Sequence, residues 1–365
     1  MRQILYFFIL LPALCSCLSA GWKTALPGWE YQFPADHGVH PDFKTEWWYF
    51  TGNLRSSNGK EFGYQLTFFR QGIREPGAAA ATSRFVVKDV PFAHFAVSEI
   101  DSGRFHHFQR LARGAYGEAG FDKGDRLAWI RDWECLRTGP ETFRLSAKEE
   151  GISIDLNLTS AKAPVIHGRG GVSQKAEGEG RASHYYSLSR LDTHGRLTID
   201  GETHEVSGTS WFDHEWATNQ LAANQKGWDW FSLQFQDGTE LMLFQLRTVD
   251  GKQDAHSSGT FVFEDGTDLK IGQAGFTLEP VAWWRSEKTG GHYPVEWRLS
   301  VPALDLSLDI KARFRQQELT AEPFVYWEGA AEATGTRQLK PVVAKGYLEM
   351  TGYAGRIVGL QSPGL

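Results

Sequence analysis

The chain has 365 residues, a mass of 41.0 kDa and a formal charge of -6 at pH 7. That length exceeds one ordinary core of roughly 100–200 residues, so two domains are expected. Hydrophobic residues make up 41% and charged ones 22%, which excludes a disordered chain, while the mild acidity argues against a nucleic-acid partner.

Arg2 followed by the apolar run 4–14 reads as a secretory signal peptide, too short for the roughly 20 residues of a membrane-spanning helix. Leu14-Cys15-Ser16-Cys17 has the form of a bacterial lipobox with Cys17 as the acylated residue; cleavage after Ala20 is the alternative. Either way the mature chain is expected to be exported, as a lipoprotein on the periplasmic face of a bacterial membrane or as a soluble periplasmic or secreted protein. A lipid anchor would be its sole membrane contact. Cys135 is the remaining cysteine, so the mature chain has no disulfide framework and no cysteine zinc site.

Strict alternation in Ile152-Ser153-Ile154-Asp155-Leu156-Asn157-Leu158 and again in Leu304-Asp305-Leu306-Ser307-Leu308-Asp309-Ile310 predicts half-buried strands. Asn58-Gly59, Asp200-Gly201, Asp237-Gly238, Asp250-Gly251 and Asp265-Gly266 are hairpin signals. No amphipathic helix follows the leader, and Gly168 to Arg181 reads as a long loop. The expected fold class is all-β.

An internal echo supports two similar domains. Trp47-Trp48-Tyr49-Phe50-Thr51 precedes Asn58-Gly59 and an apolar strand, as Trp228-Asp229-Trp230-Phe231-Ser232 precedes Asp237-Gly238 and another. Alternation is lost across 217–227, so domains of 21–218 and 219–365 are expected. Small antiparallel barrels of this size can hold one ligand inside. The 14 Trp, 24 Phe and 11 Tyr could then wall a pocket or simply fill two cores.

The densest chemical constellation is Ser210-Trp211-Phe212-Asp213-His214-Glu215-Trp216. On a strand, Trp211, Asp213 and Glu215 point one way while Phe212, His214 and Trp216 point the other. The second face suits a pocket wall: Trp216 to hold a cation, His214 to move protons. A buried hydrogen-bonded network around Asp213 is the structural alternative. Glu46, beside Trp47, Trp48 and Tyr49, is either a general acid or the ion-pair partner of Arg70 or Arg190. His94, His184 and Tyr186 sit among aromatic neighbours and serve equally as core or as substrate contacts. No nucleophile elbow, phosphate loop or dinucleotide fingerprint occurs, and the spacing of histidines and carboxylates gives no expected metal site.

Three segments, 40–52, 92–98 and 211–216, resemble the AttH/CrtC family, which joins exported hydrolase-like proteins to the more distant carotenoid 1,2-hydratases (hydroxyneurosporene synthases). The resemblance spans nearly all of the mature chain. It implies two consecutive lipocalin-like antiparallel β-barrels and, in the hydratase branch, acid addition of water to C=C without a cofactor. By that resemblance His214 and Trp216 match an Asp-His-x-Trp segment, with Glu215 where the hydratases have Asn. The hydratases also carry a downstream Tyr-x-Asp pair, and Leu241-Met242-Leu243 stands there instead.

Two functions are therefore expected to compete. One is a cofactor-free hydratase or hydrolase acting on a hydrophobic, isoprenoid or lipid-like molecule. Asp213, His214 and Glu46 would be catalytic, with Trp48, Trp216, His94, His184 and Tyr186 binding substrate. The other is a non-catalytic carrier associated with an ABC-type transporter. A carboxyl facing the cavity with a raised pKa discriminates them.

Overall fold

The computed structural model describes residues 21–77 and 86–355. The expected signal peptide and Cys17 lie outside the described residues. Strands dominate, and helical turns among the described residues are three-residue 3-10 segments such as Ala35–His37.

Two antiparallel sheets follow one another along the chain. The first holds β1 (Thr45–Ser56), β2 (Glu61–Gly72), β3 (Asp89–Glu99), β4 (Arg104–Leu111), β5 (Ala119–Phe121), β6 (Arg126–Ile130), β7 (Trp133–Gly139), β8 (Thr142–Glu149), β9 (Ile152–Ser160), β10 (Val165–Ile166), β11 (Ser173–Gln174), β12 (Ala182–Ile199) and β13 (Glu202–Ala217). Its order is β4-β3-β2-β1-β13-β12-β9-β8-β7-β6-β5, with β10 and β11 paired to β12. The second holds β14 (Gln225–Phe235), β15 (Glu240–Thr248), β16 (Ser258–Val262), β17 (Asp268–Gly272), β18 (Thr277–Arg285), β19 (His292–Val301), β20 (Leu306–Ala312), β21 (Glu318–Ala321), β22 (Phe324–Arg337) and β23 (Lys340–Met350). Its order is β17-β16-β15-β14-β23-β22-β20-β19-β18, with β21 beside β22. In both sheets the last strand returns to lie against the first. The echoing hairpins β1–β2 and β14–β15 therefore occupy equivalent places.

The local reasons are those of the sequence. Strand β9 buries alternate residues, as does β20, so one face of each packs and the other is hydrated. The β12–β13 turn places Asp200 at φ 51° and Gly201 at φ 86°. Both central residues are left-handed, which gives a two-residue hairpin whose twist matches its strands.

Each sheet curls over its own core. Phe50 on β1 meets Phe143 on β8 at 5.9 Å between centroids, and Phe95 on β3 meets Trp133 on β7 at 5.6 Å. Arg110 on β4 donates to the carbonyls of Ile130 and Lys148, bridging strands that share no ladder. In the second sheet Phe231 on β14 packs on Trp297 of β19 at 5.5 Å. A third apolar cluster lies between the sheets, where Tyr49, Tyr185 and Trp211 of the first meet Trp230, Phe244 and Tyr347 of the second. Tyr49 and Trp230, equivalent members of the echo, touch edge-to-face at 5.2 Å across this seam.

Candidate functional site

Register sorts the sequence-predicted residues onto two opposite faces. In β13, His214 lies opposite Trp48 of β1 and Tyr186 of β12, while Trp216 lies opposite Glu46 and His184. Directly opposed residues share a face, so these six enter the interior of the first sheet together. Asp213 lies opposite Tyr49 and Ser187, and Glu215 opposite Trp47 and Tyr185. That face looks into the seam. His94 on β3 joins it through Thr67, which is paired to Tyr49.

The interior face forms a closed ionic network. Glu46, fully buried, accepts the His40 backbone N–H at 2.9 Å, His40 Nδ1 at 2.7 Å, His214 Nε2 at 3.0 Å and Arg70 Nε at 3.3 Å. Burial alone would push its carboxyl up. The His40 charge, the histidine hydrogen bonds and Arg70 overcome this and hold it well below the usual carboxylate range. Trp216 stacks flat on His40 at 3.7 Å, and Trp48 lies on His214 at 4.7 Å. Tyr186 contacts His37 Nδ1 at 2.6 Å, and His184 Nδ1 donates to the Gly171 carbonyl at 2.9 Å. Of the two roles the sequence leaves open for Glu46, the geometry here is that of an ion pair with Arg70; Arg190 pairs with Glu240 instead.

His40, Glu46 and His214 also bring potential ligand atoms within 4.8 Å of one another. The Arg70 guanidinium on Glu46 already places a fixed cation there, and His40 uses its second nitrogen on Asp36 at 3.2 Å. These residues suit a charge network better than a metal centre.

The expected wall formed by Phe212, His214 and Trp216 is thus packed core. The opposite face borders a cavity of about 430 Å³ lying between the sheets. Its walls are mostly apolar, with Trp47, Phe69 and Phe92 from the first sheet and Trp228, Trp230 and Phe324 from the second. Leu111, which is 61% exposed, and the exposed Glu322-Pro323 turn stand at its rim.

Asp213 is the polar centre of the first-sheet wall. It accepts Tyr185 Oη at 2.5 Å, Trp211 Nε1 at 2.5 Å and the Ser187 hydroxyl, while Trp230 Nε1 fixes Tyr185 from the other sheet at 3.1 Å. Burial, against these three donors and with the nearby Glu215 charge, pushes its carboxyl up to about 7. No cation pairs with Asp213 among the described residues, because Lys175 is held by Glu215 at 3.1 Å and over the Phe244 ring at 4.1 Å.

His94 also borders the cavity. Its Nδ1 lies 2.8 Å from Tyr326 Oη, its Nε2 has no partner, and burial lowers its pKa to about 3, so it stays neutral.

The sequence reading missed Tyr185, although it named both neighbours. It also missed Glu349 and Glu328. These sit in Tyr347-Leu348-Glu349 and Tyr326-Trp327-Glu328, two Tyr-x-acid pairs in the apolar stretches of their strands. A carboxylate in such a strand is costly unless it has work or a partner, and that was the available signal. Both pairs lie far downstream of 241–243 on β15, the place where the resemblance puts its Tyr-x-Asp pair.

Residues 24–353 match the AttH-like family model. The chain belongs to the AttH-like family. An AttH crystal structure from Nitrosomonas europaea is 32% identical, with a TM-score of 0.82, over 91% of this chain and 99% of that one. Kievitone hydratase from Nectria haematococca shares the fold at 14% identity and a TM-score of 0.70, covering 92% of this chain and 98% of the other. Dehydratase asqC of Emericella nidulans is 22% identical over 267 residues, 66% of this chain and 72% of its own. The family and the all-β class both hold, and the two consecutive lipocalin-like barrels that the resemblance implies are seen as two antiparallel sheets, one of them a half-barrel.

Proposed function

We propose that this AttH-like protein is a cofactor-free hydratase- or dehydratase-type enzyme acting on a hydrophobic small molecule held between its two sheets. One observation carries the reading. Asp213 is a buried carboxyl bordering an apolar cavity, unpaired with any cation among the described residues, and poised near neutrality where it can give or take a proton. A carrier needs the apolar wall alone and gains nothing from a carboxyl kept out of a salt bridge. The dehydratase relative and the kievitone hydratase fold support the same chemistry.

Dehydration requires one proton delivered to a hydroxyl oxygen as its C–O bond breaks. A second proton leaves the adjacent carbon, and that C–H electron pair becomes the C=C bond. Hydration is the reverse, and neither direction changes oxidation state. The apolar walls favour an isoprenoid or lipid-like skeleton with few polar groups. Native mass spectrometry of protein purified from its own host is expected to reveal a co-purifying apolar molecule. Well-folded protein that carries none, and binds no apolar alcohol, would count against the reading.

Export belongs to the same proposal. Labelling cells with radioactive palmitate is expected to mark the wild-type chain and not the Cys17→Ala variant. Equal labelling of the two would remove the lipid anchor from the proposal.

A further inference from the structure

The seam holds a second set of acids, contributed by the second sheet. Glu349 on β23 lies directly opposite Glu328 on β22, a register that sets Cβ atoms about 4.5–5.5 Å apart. Glu349 borders the cavity and accepts Trp228 Nε1 at 2.8 Å. Glu328 lies one layer deeper, 2% exposed, and neither of its oxygens has a well-formed hydrogen bond. The hydroxyls of Tyr49 and Tyr326 stand around it. Tyr326 continues to His94, a cavity-lining residue whose buried Nε2 has no partner.

The contrast with Asp213 is chemical. Three donors converge on Asp213, an environment built for a carboxylate. Glu349 receives one donor and Glu328 none of normal geometry, an environment that tolerates the protonated acid. Among the described residues no lysine, arginine or charged histidine neutralises the Glu pair: Lys175 is committed to Glu215, His94 is neutral, and Asp213 and Glu215 add like charge.

We propose that Glu349 is the second catalytic residue of this cavity, the acid that works against Asp213 as base, and that Glu328 is its positioning residue. This rests on the hydratase-type reading above. In dehydration the Glu349 O–H gives its proton to the substrate hydroxyl and water departs. Asp213 takes the proton from the neighbouring carbon, and the freed electron pair closes the double bond. The site ends with its proton count unchanged and the proton moved from one sheet to the other. In hydration Asp213 starts protonated and Glu349 ionised, and each step runs backward. Burial first, and then the Asp213 and Glu215 charges, push Glu349 up to about 8; burial and Glu349 push Glu328 up. Two carboxyls so close titrate as a pair and retain a proton at neutral pH.

The test combines a proton count with turnover. In full-length protein labelled with 13C at the Glu carboxyl, at least one buried Glu is expected to stay protonated at pH 7. Glu349→Gln should remove one of the two raised Glu titrations and lower the one that remains, and Glu328→Gln should move that of Glu349 to lower pH. Turnover is followed as water loss from linalool and from 4-hydroxy-4-methyl-2-pentanone, a tertiary allylic alcohol and a β-hydroxyketone. Glu349→Gln should lower kcat by about 10²–10⁴-fold, the usual share of general acid catalysis. Glu328→Gln should keep most of kcat while shifting the alkaline limb of its pH profile downward. Unchanged kcat in Glu349→Gln, with activity lost in Asp213→Asn, overturns this proposal and leaves the enzyme reading standing. Ordinary titration of every Glu below pH 5 overturns it too. Wild-type protein that dehydrates neither probe overturns the enzyme reading, and this proposal with it.

Discussion

Asp213→Asn is expected to lower turnover by about 10²–10⁴-fold while leaving the fold and apolar-ligand binding in place. Asn keeps the size of the side chain, and the Trp211 and Ser187 donors to Oδ1 retain an oxygen acceptor. What disappears is the group that exchanges a proton. The same substitution has a stability signature of known sign. The ordinary carboxyl value is 3.8, and the folded value is about 7. Between those limits the unfolded chain has already lost its proton while the folded one keeps it. Folding stability therefore falls as pH rises through that window. Asp213→Asn removes this component, so its melting temperature should fall less than that of the wild type between pH 4 and pH 8. Kinetics together with melts at both pH values check the two halves. A variant that folds, binds and retains full turnover would exclude Asp213 from the chemistry.

The second large effect concerns stability alone. Arg70→Met is expected to destabilise the protein by about 3–5 kcal/mol, the cost of leaving a buried charge uncompensated. Arg70 does more than pair with Glu46. It binds Asp89 at 2.8 Å and the carbonyl of His40 at 3.0 Å, so it ties strand β2 to the segment before β1. Adding Glu46→Gln should recover part of the loss, because the stranded carboxylate is gone. The pH dependence runs opposite to that of Asp213. Glu46 is held below its ordinary value of 4.5, so its contribution is complete above that pH. It fades as acid approaches the lower folded value. Urea melts of the single and double variants at pH 7 and pH 4 measure this. Loss of turnover in Glu46→Gln at undiminished stability would instead bring the interior network into the chemistry.

Those two outcomes separate what the segment 210–216 offers to the sequence reader. Alternation splits it correctly, with Asp213 and Glu215 on one face and Phe212, His214 and Trp216 on the other. Which face meets a ligand depends on the segment before β1, with Trp29, His37 and His40, covering the second face from inside, and on a second sheet covering the first from outside. Neither is a property of the segment. The hairpin turns were legible because Asp-Gly and Asn-Gly demand left-handed backbone that few other pairs tolerate. Strands such as β9 were legible because burial on one side writes a period of two. Glu328 and Glu349 were less so: the cost of an acid in an apolar stretch sets them apart, but their strands also carry charged residues such as Glu332 and Lys345, and only the opposite neighbour separates the two kinds. Their meaning lies in cross-strand register, which no local window contains.

The seam between the sheets has an evolutionary consequence. Each sheet buries its own core on its inner face, so the side chains at the cavity support neither core. Exchanging Phe69, Phe92 or Phe324 for smaller residues would reshape the chamber at the expense of their mutual stacking, while leaving the two sheet cores in place. Under the proposed function, a thin layer of contacts would then set which molecules the chamber accepts. The two halves that carry that layer are tied by more than the Tyr49–Trp230 contact, since Arg190 and Lys162 of the first pair with Glu240 of the second, and Glu61 pairs with Lys345.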